Sequence, residues 1–425
     1  MREAIVSIAA GRSQLALFEA AERLGLAVVA LDRDPDAPGF ERAAAHAVVS
    51  THDAGAALDA LQAVLAQRSD LRPVGVLTKS SGPPVATAAR VAAALDLPGL
   101  DPALARELVS KPGQLRAAVR AGLRVPARWD GGRLEPDVLA RLDPPLVVKP
   151  AVTREGKRAV QRIDHRRDLP AATDAAARAS GDGRFEVEQY LPGRDLVLCA
   201  TFVDSRAGGV VAIEEDTRFG ADGTVRGVGL RVTPQGQGAA GVDAAADAVR
   251  CFVRALRLGT GMGLWTFRVA DGERPALIEL HLDLAGDLVT DWLLPSALSH
   301  DPIELALRNA IGWGAELPPV NRAAAVRFLS GDEARAAAAL TPHEREAYGL
   351  TVDARAVEAG AARCGNARVT ADDDAGLVRR LAALERALTT TDPSARPSGD
   401  GVSIAGIASP DAERAPSASA DGSIS

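Results

Sequence analysis

Residues 143–160 read Asp143-Pro144-Pro145-Leu146-Val147-Val148-Lys149-Pro150, then Ala151-Val152-Thr153-Arg154-Glu155-Gly156-Lys157-Arg158, then Ala159-Val160. A short apolar run behind a double proline delivers a lysine, and a polar, basic loop follows before the apolar pattern resumes. A buried strand that ends in lysine and turns through a basic glycine loop suits phosphate binding. The plainer reading is an edge strand with a solvated hairpin.

Composition favours the first reading. Of 49 Lys and Arg residues only four are lysines, Lys79, Lys111, Lys149 and Lys157. A position that keeps lysine against that bias is a candidate for needing a compact ammonium instead of a planar guanidinium. Two of the four flank this one loop.

Working outward, a length of 425 residues suggests roughly two to three domains. The net charge of −7 and aromatic content of 3% argue against a nucleic-acid binder, which needs basic patches and stacking platforms. Cys199, Cys251 and Cys364 are widely spaced and odd in number, so they point to buried thiols in a reducing cytoplasm, without a disulfide framework or zinc site. The N-terminus has no long apolar stretch of the signal-peptide kind, and no window resembles a membrane span. The expectation is a cytoplasmic protein with no membrane partner.

Residues 1 to about 100 alternate β-branched runs with amphipathic ones, the pattern of βαβ units on a parallel sheet. Strands are expected at Ala4–Ile8, Ala27–Leu31, Ala47–Ser50 and Val74–Thr78, with helices at Leu15–Leu24, Ala54–Gln67 and Val85–Leu95. Asp32 at a strand end raises the possibility of a dinucleotide site. Only Gly11 stands where three glycines are needed, so nicotinamide binding is disfavoured and Asp32 reads as a strand-end cap or a substrate-side group. Short helices follow from Pro102 and Gly113, with Lys111 at their junction.

Phe185–Leu191 and Asp195–Val203 read as two strands around the turn Pro192-Gly193-Arg194. Backbone groups just after Glu188 can read a purine edge, and Asp195 can accept from ribose hydroxyls; the plain alternative is a hairpin with a charged rim. Further strands are expected at Val210–Ile213 and Val228–Val232, and a long helix from Val242. A hairpin runs from Gly263 to Leu282. Simple alternation puts Leu277 with Glu279 on one face and Ile278 with Leu280 on the other. Glu279 and His281 then form two potential metal ligands on one face. Arg218, Arg226 and Arg231 can clamp a carboxylate by bidentate pairing, although in so arginine-rich a chain each is more often a surface residue. From Thr390 onward Pro, Ser, Ala, Gly and Asp dominate, which reads as a disordered tail.

This ordered set of a parallel N-terminal domain, linker lysine, strand-end lysine with basic loop, hinge and acid-bearing hairpin resembles the ATP-grasp superfamily. Its carboxylate–amine ligases and the carbamoyl-phosphate synthase large chain are the nearest likeness. Gly11-Arg12-Ser13-Gln14, Asp34-Pro35, Ala37-Pro38-Gly39 and Leu97-Pro98-Gly99-Leu100 look like the family's opening domain. The resemblance covers about residues 1–330. It implies an α/β (α+β) fold: a Rossmann-like N-terminal domain over 1–110, an ATP-grasp domain over 111–317 with a flap lobe near 128–190, an α+β region over 318–390, and the tail.

By that resemblance Lys111 and Lys149 touch the nucleotide phosphates, and Thr153–Arg158, with Gly156 and Lys157, forms the phosphate flap. Glu188, Gln189, Tyr190 and Leu191 line the adenine, Asp195 holds the ribose, and Glu279 binds magnesium, with His281 and Asp283 as further candidate ligands. Lys149 and Arg231 are the candidate catalytic groups. The implied reaction uses ATP and Mg²⁺ to phosphorylate a small carboxylate, such as that of an amino acid, whose acyl phosphate an amine then attacks; lysines and the metal neutralise the transferred phosphoryl charge. The substrates are small molecules, and a homodimer is an allowed state.

Three positions depart from the family pattern. Thr266 stands where a second acid is expected, His281 where an Asn is usual, and Asp283 where an Arg usually meets phosphate. Exchanging Arg for Asp changes the local charge by two units, each pair being worth roughly 4 kcal/mol at contact near a protein surface. Either Asp283 has become a ligand or catalysis has been lost. The alternative function is therefore a catalytically impaired ATP-grasp protein that binds nucleotide or a partner without turnover.

Overall fold

The computed structural model describes residues 1–131, 142–151, 159–220, 223–286, 288–358, 361 and 363–389. The loop expected to be a phosphate flap, with Gly156 and Lys157, and the tail lie outside the described residues. The described residues form two compact units, one within 1–328 with 368–380, the other within 329–367 with 381–389. No described helix is long and apolar enough to cross a membrane.

The first unit opens with a parallel sheet of β1 (Arg2–Ile8), β2 (Ala27–Asp32), β3 (Ala45–Val48) and β4 (Leu71–Leu77), in the order β3-β2-β1-β4. Helix α1 (Leu15–Arg23) connects β1 to β2, α2 (Ala54–Gln67) connects β3 to β4, and α3 (Pro83–Ala94) follows β4, in keeping with the crossovers that parallel strands need. Ala4, Ile5, Val6 and Ile8 are all fully buried. This is the near-continuous apolar run of a strand covered on both faces. Two short helices, α4 (Pro102–Leu108) and α5 (Lys111–Arg120), follow. Ser110 caps α5 by accepting from Gly113 N at 3.2 Å, which fixes Lys111 at the first helical position.

A second, antiparallel sheet holds β5 (Arg128–Gly131), β6 (Leu146–Pro150), β7 (Gln161–Ile163) and β8 (Phe185–Gln189) in the order β5-β8-β6-β7. The helix Leu169–Ala179, which the sequence reading missed, covers it through Leu169, Ala172 and Ala176. The third sheet contains β9 (Arg194–Val203), β10 (Arg206–Phe219), β11 (Val225–Val232), β12 (Gly261–Val269), β13 (Ala276–His281) and β14 (Ala323–Leu329). Within the first unit its order is β13-β12-β9-β10-β11-β14.

Two expectations are corrected here. The strands on either side of Pro192-Gly193 do not form a hairpin, because β8 belongs to the second sheet and β9 to the third. The turn is a crossing between sheets. Gly193 makes it with φ 123°, and a Cβ there would stand 2.3 Å from the Val269 carbonyl oxygen. The second correction concerns β13. Register with β12 runs Thr266↔Glu279 and then Phe267↔Leu277, so Ile278 is an extra residue in a bulge. The bulge puts Leu277 and Leu280 into the same core cluster; Leu277 therefore shares a face with Leu280, and Glu279 does not share it.

In the second unit, the helices Gly331–Ala338 and Pro342–Ala347 each begin with a capping box, Ser330 with Glu333 and Thr341 with Glu344.

Gly193→Ala is expected to cost about 1–3 kcal/mol, the usual penalty for forcing a side chain into such backbone. Urea unfolding of the variant against wild type measures it.

Candidate active site

Four elements bring charged groups together in one cluster. Lys111 comes from the start of α5, Lys149 from the end of β6, Glu186 and Glu188 from one face of β8, and Glu279 from the edge strand β13. Alternation along β8 turns both its glutamates inward while Phe185 and Val187 fill the lobe's core. Lys149 sits 2.6 Å from Glu188 and 3.8 Å from Glu186, and Arg128 stands 3.9 Å from Glu186. Lys111 Nζ is paired with Glu279. Three cations thus face three carboxylates.

The electrostatics are uneven. The Lys111 charge, acting against burial, holds the Glu279 carboxyl well below its usual range, and the neighbouring His281 pulls the same way. Burial opposes the Lys111 charge, but Glu279, then Glu188 and Glu186, raise its pKa overall. His281 lies 3.9 Å from Glu279 with 45% of its side chain exposed. That distance is too long for a hydrogen bond. Burial works against its charge, and the Glu279 and Asp283 carboxylates outweigh it, so its pKa moves up. Glu186 is 1% exposed, and neither of its oxygens has a hydrogen-bond partner among the described residues. Burial pushes its pKa up and Glu188 adds to the push, against the pull of Lys149, Arg128 and Lys111.

The other expected residues divide. Asp195 is buried, pairs with Arg268 at 2.9 Å and accepts from Thr217 at 3.1 Å. The amides of Gln189 and Tyr190 donate to Ala127 and Pro145 carbonyls, so they are not free to read a base edge. The Tyr190 ring carries the Arg162 guanidinium at 4.4 Å and meets Phe219 edge-on. Leu191 follows in the crossing between sheets.

Arg231 is a correction. Its neighbours Leu230 and Val232 share a core with Val197 and Leu264, so Arg231 points to the opposite face. Its Nε donates to Glu214 at 2.6 Å, and Arg194 pairs with the same carboxylate at 2.8 Å. Glu279 and Thr266 flank residues of the opposite core, Leu280 and Trp265, and so lie on the face that Arg231 leaves. Strand parity thus puts Arg231 on the other face of the sheet from Glu279.

Asp283 does not join Glu279 and His281. It is 4% exposed, accepts from the Ser81 hydroxyl, and receives Ala285 N at 2.8 Å. Among the described residues no three His, Cys, Asp or Glu side chains are grouped to hold a metal ion. Asp32 accepts from Ala10 and Asp34 amides at 2.7 and 3.0 Å, the strand-end cap expected of it. Gln14 receives Lys79 N at 2.8 Å, tying the turn after β1 to the loop after β4.

Sequence reasoning missed Glu186, Arg128 and the role of Lys79. The buried Lys79 ammonium donates to Ala285 O at 2.6 Å and to Asp291 at 2.9 Å. Its signal was present, since it is one of the four lysines.

Residues 18–99 match the family model of the ATP-grasp N-terminal domain. No curated protein matches the chain. Among solved structures, the L-amino acid ligase from Bacillus licheniformis is similar with TM-score 0.66 at 18% identity, over 91% of this chain and 97% of that one. The N5-carboxyaminoimidazole ribonucleotide synthetase from Thermus thermophilus is similar with TM-score 0.64 at 19% identity, over 91% and 99%. A carboxyaminoimidazole ribonucleotide synthase from Aspergillus clavatus, solved with ATP, gives 0.67 at 16%, over 91% and 98%. The chain has the ATP-grasp fold.

Glu186→Gln is expected to raise the thermal midpoint at neutral pH. A buried acid whose folded pKa lies above its unfolded value destabilises the fold when charged; that cost appears as pH rises through the unfolded pKa and is complete above the folded one. The gain over wild type should therefore vanish below about pH 4.5, the ordinary glutamate value. Thermal unfolding across pH 4–8 measures it.

Proposed function

From the ATP-grasp fold, we propose that the chain binds ATP with magnesium and activates a small carboxylate as an acyl phosphate for attack by an amine. The observation that carries this reading is the meeting of two sequestered lysines, Lys111 and Lys149, with carboxylates of β8 and β13 in one cluster. The related structures named above as an L-amino acid ligase and as synthetases support it.

Lys149 and Lys111 would turn from their carboxylates to the phosphate oxygens, where ammonium charge offsets the charge on the transferred group. Glu279 would hold magnesium, with the Thr266 hydroxyl opposite it in register. One carboxylate fits that ion, which takes few protein ligands and fills its sphere with phosphate oxygens and water. When bound, magnesium neutralises phosphate charge. Glu188 to Leu191 would border the base and Asp195 the ribose; since Asp195 already holds Arg268 and Thr217, it would share its oxygens. The flap role of Gly156 and Lys157 belongs to the same proposal.

A second reading, nucleotide binding without turnover, is favoured by Thr266 standing opposite Glu279 where a second acid would strengthen the metal site.

ATP with Mg²⁺ is expected to raise the thermal midpoint, by the equivalent of about 2.7 kcal/mol at a hundredfold excess over Kd, and less without Mg²⁺. Lys149→Ala alone strands two buried carboxylates and costs stability, so Lys149→Met with Glu188→Gln is the cleaner variant. It should abolish the ATP-induced shift. No shift in wild type sinks the proposal. ADP release upon addition of acid and amine mixtures separates ligase from binder.

A further inference from the structure

Behind the loop that follows β13 lies a partly open cavity of about 50 Å³. Its walls are apolar, with Val85, Ala88, Leu100, Met262, Leu284 and Ala306 among them, and Asp283 is the one charged residue in its lining. The two threonines there are engaged: Thr78 donates to Ile8 O at 2.6 Å, and Thr260 accepts from Asp204 N at 3.1 Å.

Asp283 is 4% exposed, and among the described residues no lysine or arginine pairs with it. His281 feels its charge but makes no ion pair with it, and a sequestered carboxylate without a close cation is costly unless something supplies one. Its hydrogen-bond partner Ser81 is exposed, so Asp283 links the cavity lining to the protein surface. A metal ion is a poor candidate, because apart from Asp283 the lining offers mostly apolar side chains, which do not complete a hard cation's sphere. A carboxylate or phosphate would be repelled.

We propose that Asp283 is the counter-ion for the ammonium of a short aliphatic primary amine whose carbon stem enters this cavity. A water needs roughly 10–15 Å³ of such space, so the cavity suits a stem of two or three carbons. The inference rests on the ligase reading in one respect only, that such an amine would be the nucleophile's source. It deepens that reading by excluding an acidic group at this end of the amine substrate.

The test uses the full chain with n-propylamine hydrochloride, sodium propionate and n-propanol, at matched salt and neutral pH, by thermal shift and calorimetry. Propylamine should raise the midpoint saturably, and propionate and propanol should not. Asp283→Asn should weaken propylamine at least tenfold. Ala88→Leu, which fills the cavity from the α3 side, should weaken it similarly while keeping the ATP response. Equal response to propionate or propanol, or unchanged binding in both variants, overturns the proposal. Propylamine binding with no ATP response supports the subsite and fails the ligase reading alone.

Discussion

The pairing of Lys111 with Glu279 joins the first turn of one helix to the edge strand of the third sheet. Both groups leave most of their surface away from water, and each shifts the other's pKa toward the charged form. The rest of the cleft depends on this balance. Lys149 repeats it with Glu188 on the second sheet, so that two sheets present the same motif of lysine against glutamate to one space. Carboxylates hold both cations in position, so in the proposed function an exchange of partner would be enough to meet a phosphate.

What aims Glu279 into the cleft is the bulge at Ile278. Without an extra residue, the parity that buries Leu277 would bury Glu279 beside it. Bulges recur where a strand must re-aim a side chain, and here one residue converts an uninterrupted alternation into an acid on one face and a leucine pair on the other. The following segment is held as tightly. Ala285 and Leu288 adopt positive φ without being glycine, and the Lys79 ammonium with Thr290 fixes the Ala285 carbonyl. Strain of this kind persists only where its surroundings over-determine it.

Much of this was legible in the residues. The βαβ alternation gave the parallel sheet, and the scarcity of lysine singled out Lys79, Lys111 and Lys149, each of which the fold sequesters. Other features were hidden for physical reasons. Glu186 alternates with Val187 and so reads as a solvated face; only the packing of β8 between β5 and β6 turns that face into the cleft. Pro192-Gly193 carries the composition of a hairpin turn, and nothing local distinguishes a turn within a sheet from a crossing between two. Arg231 looked apt by residue type, but strand parity, set by Leu230 and Val232, sends it to the far side. Side-chain chemistry was readable, whereas facing depends on long-range pairing that the sequence does not display.

Two acids, Glu186 and Asp283, are buried. Burial of an ion is costly wherever its partners do not fully compensate it. A chain selected for stability alone would replace them with apolar residues. One stands beside Lys149 and the other in the lining of an apolar cavity. Under the proposals above, a cation reaching either acid would relieve part of the burial cost, and stability would then be coupled to ligand occupancy.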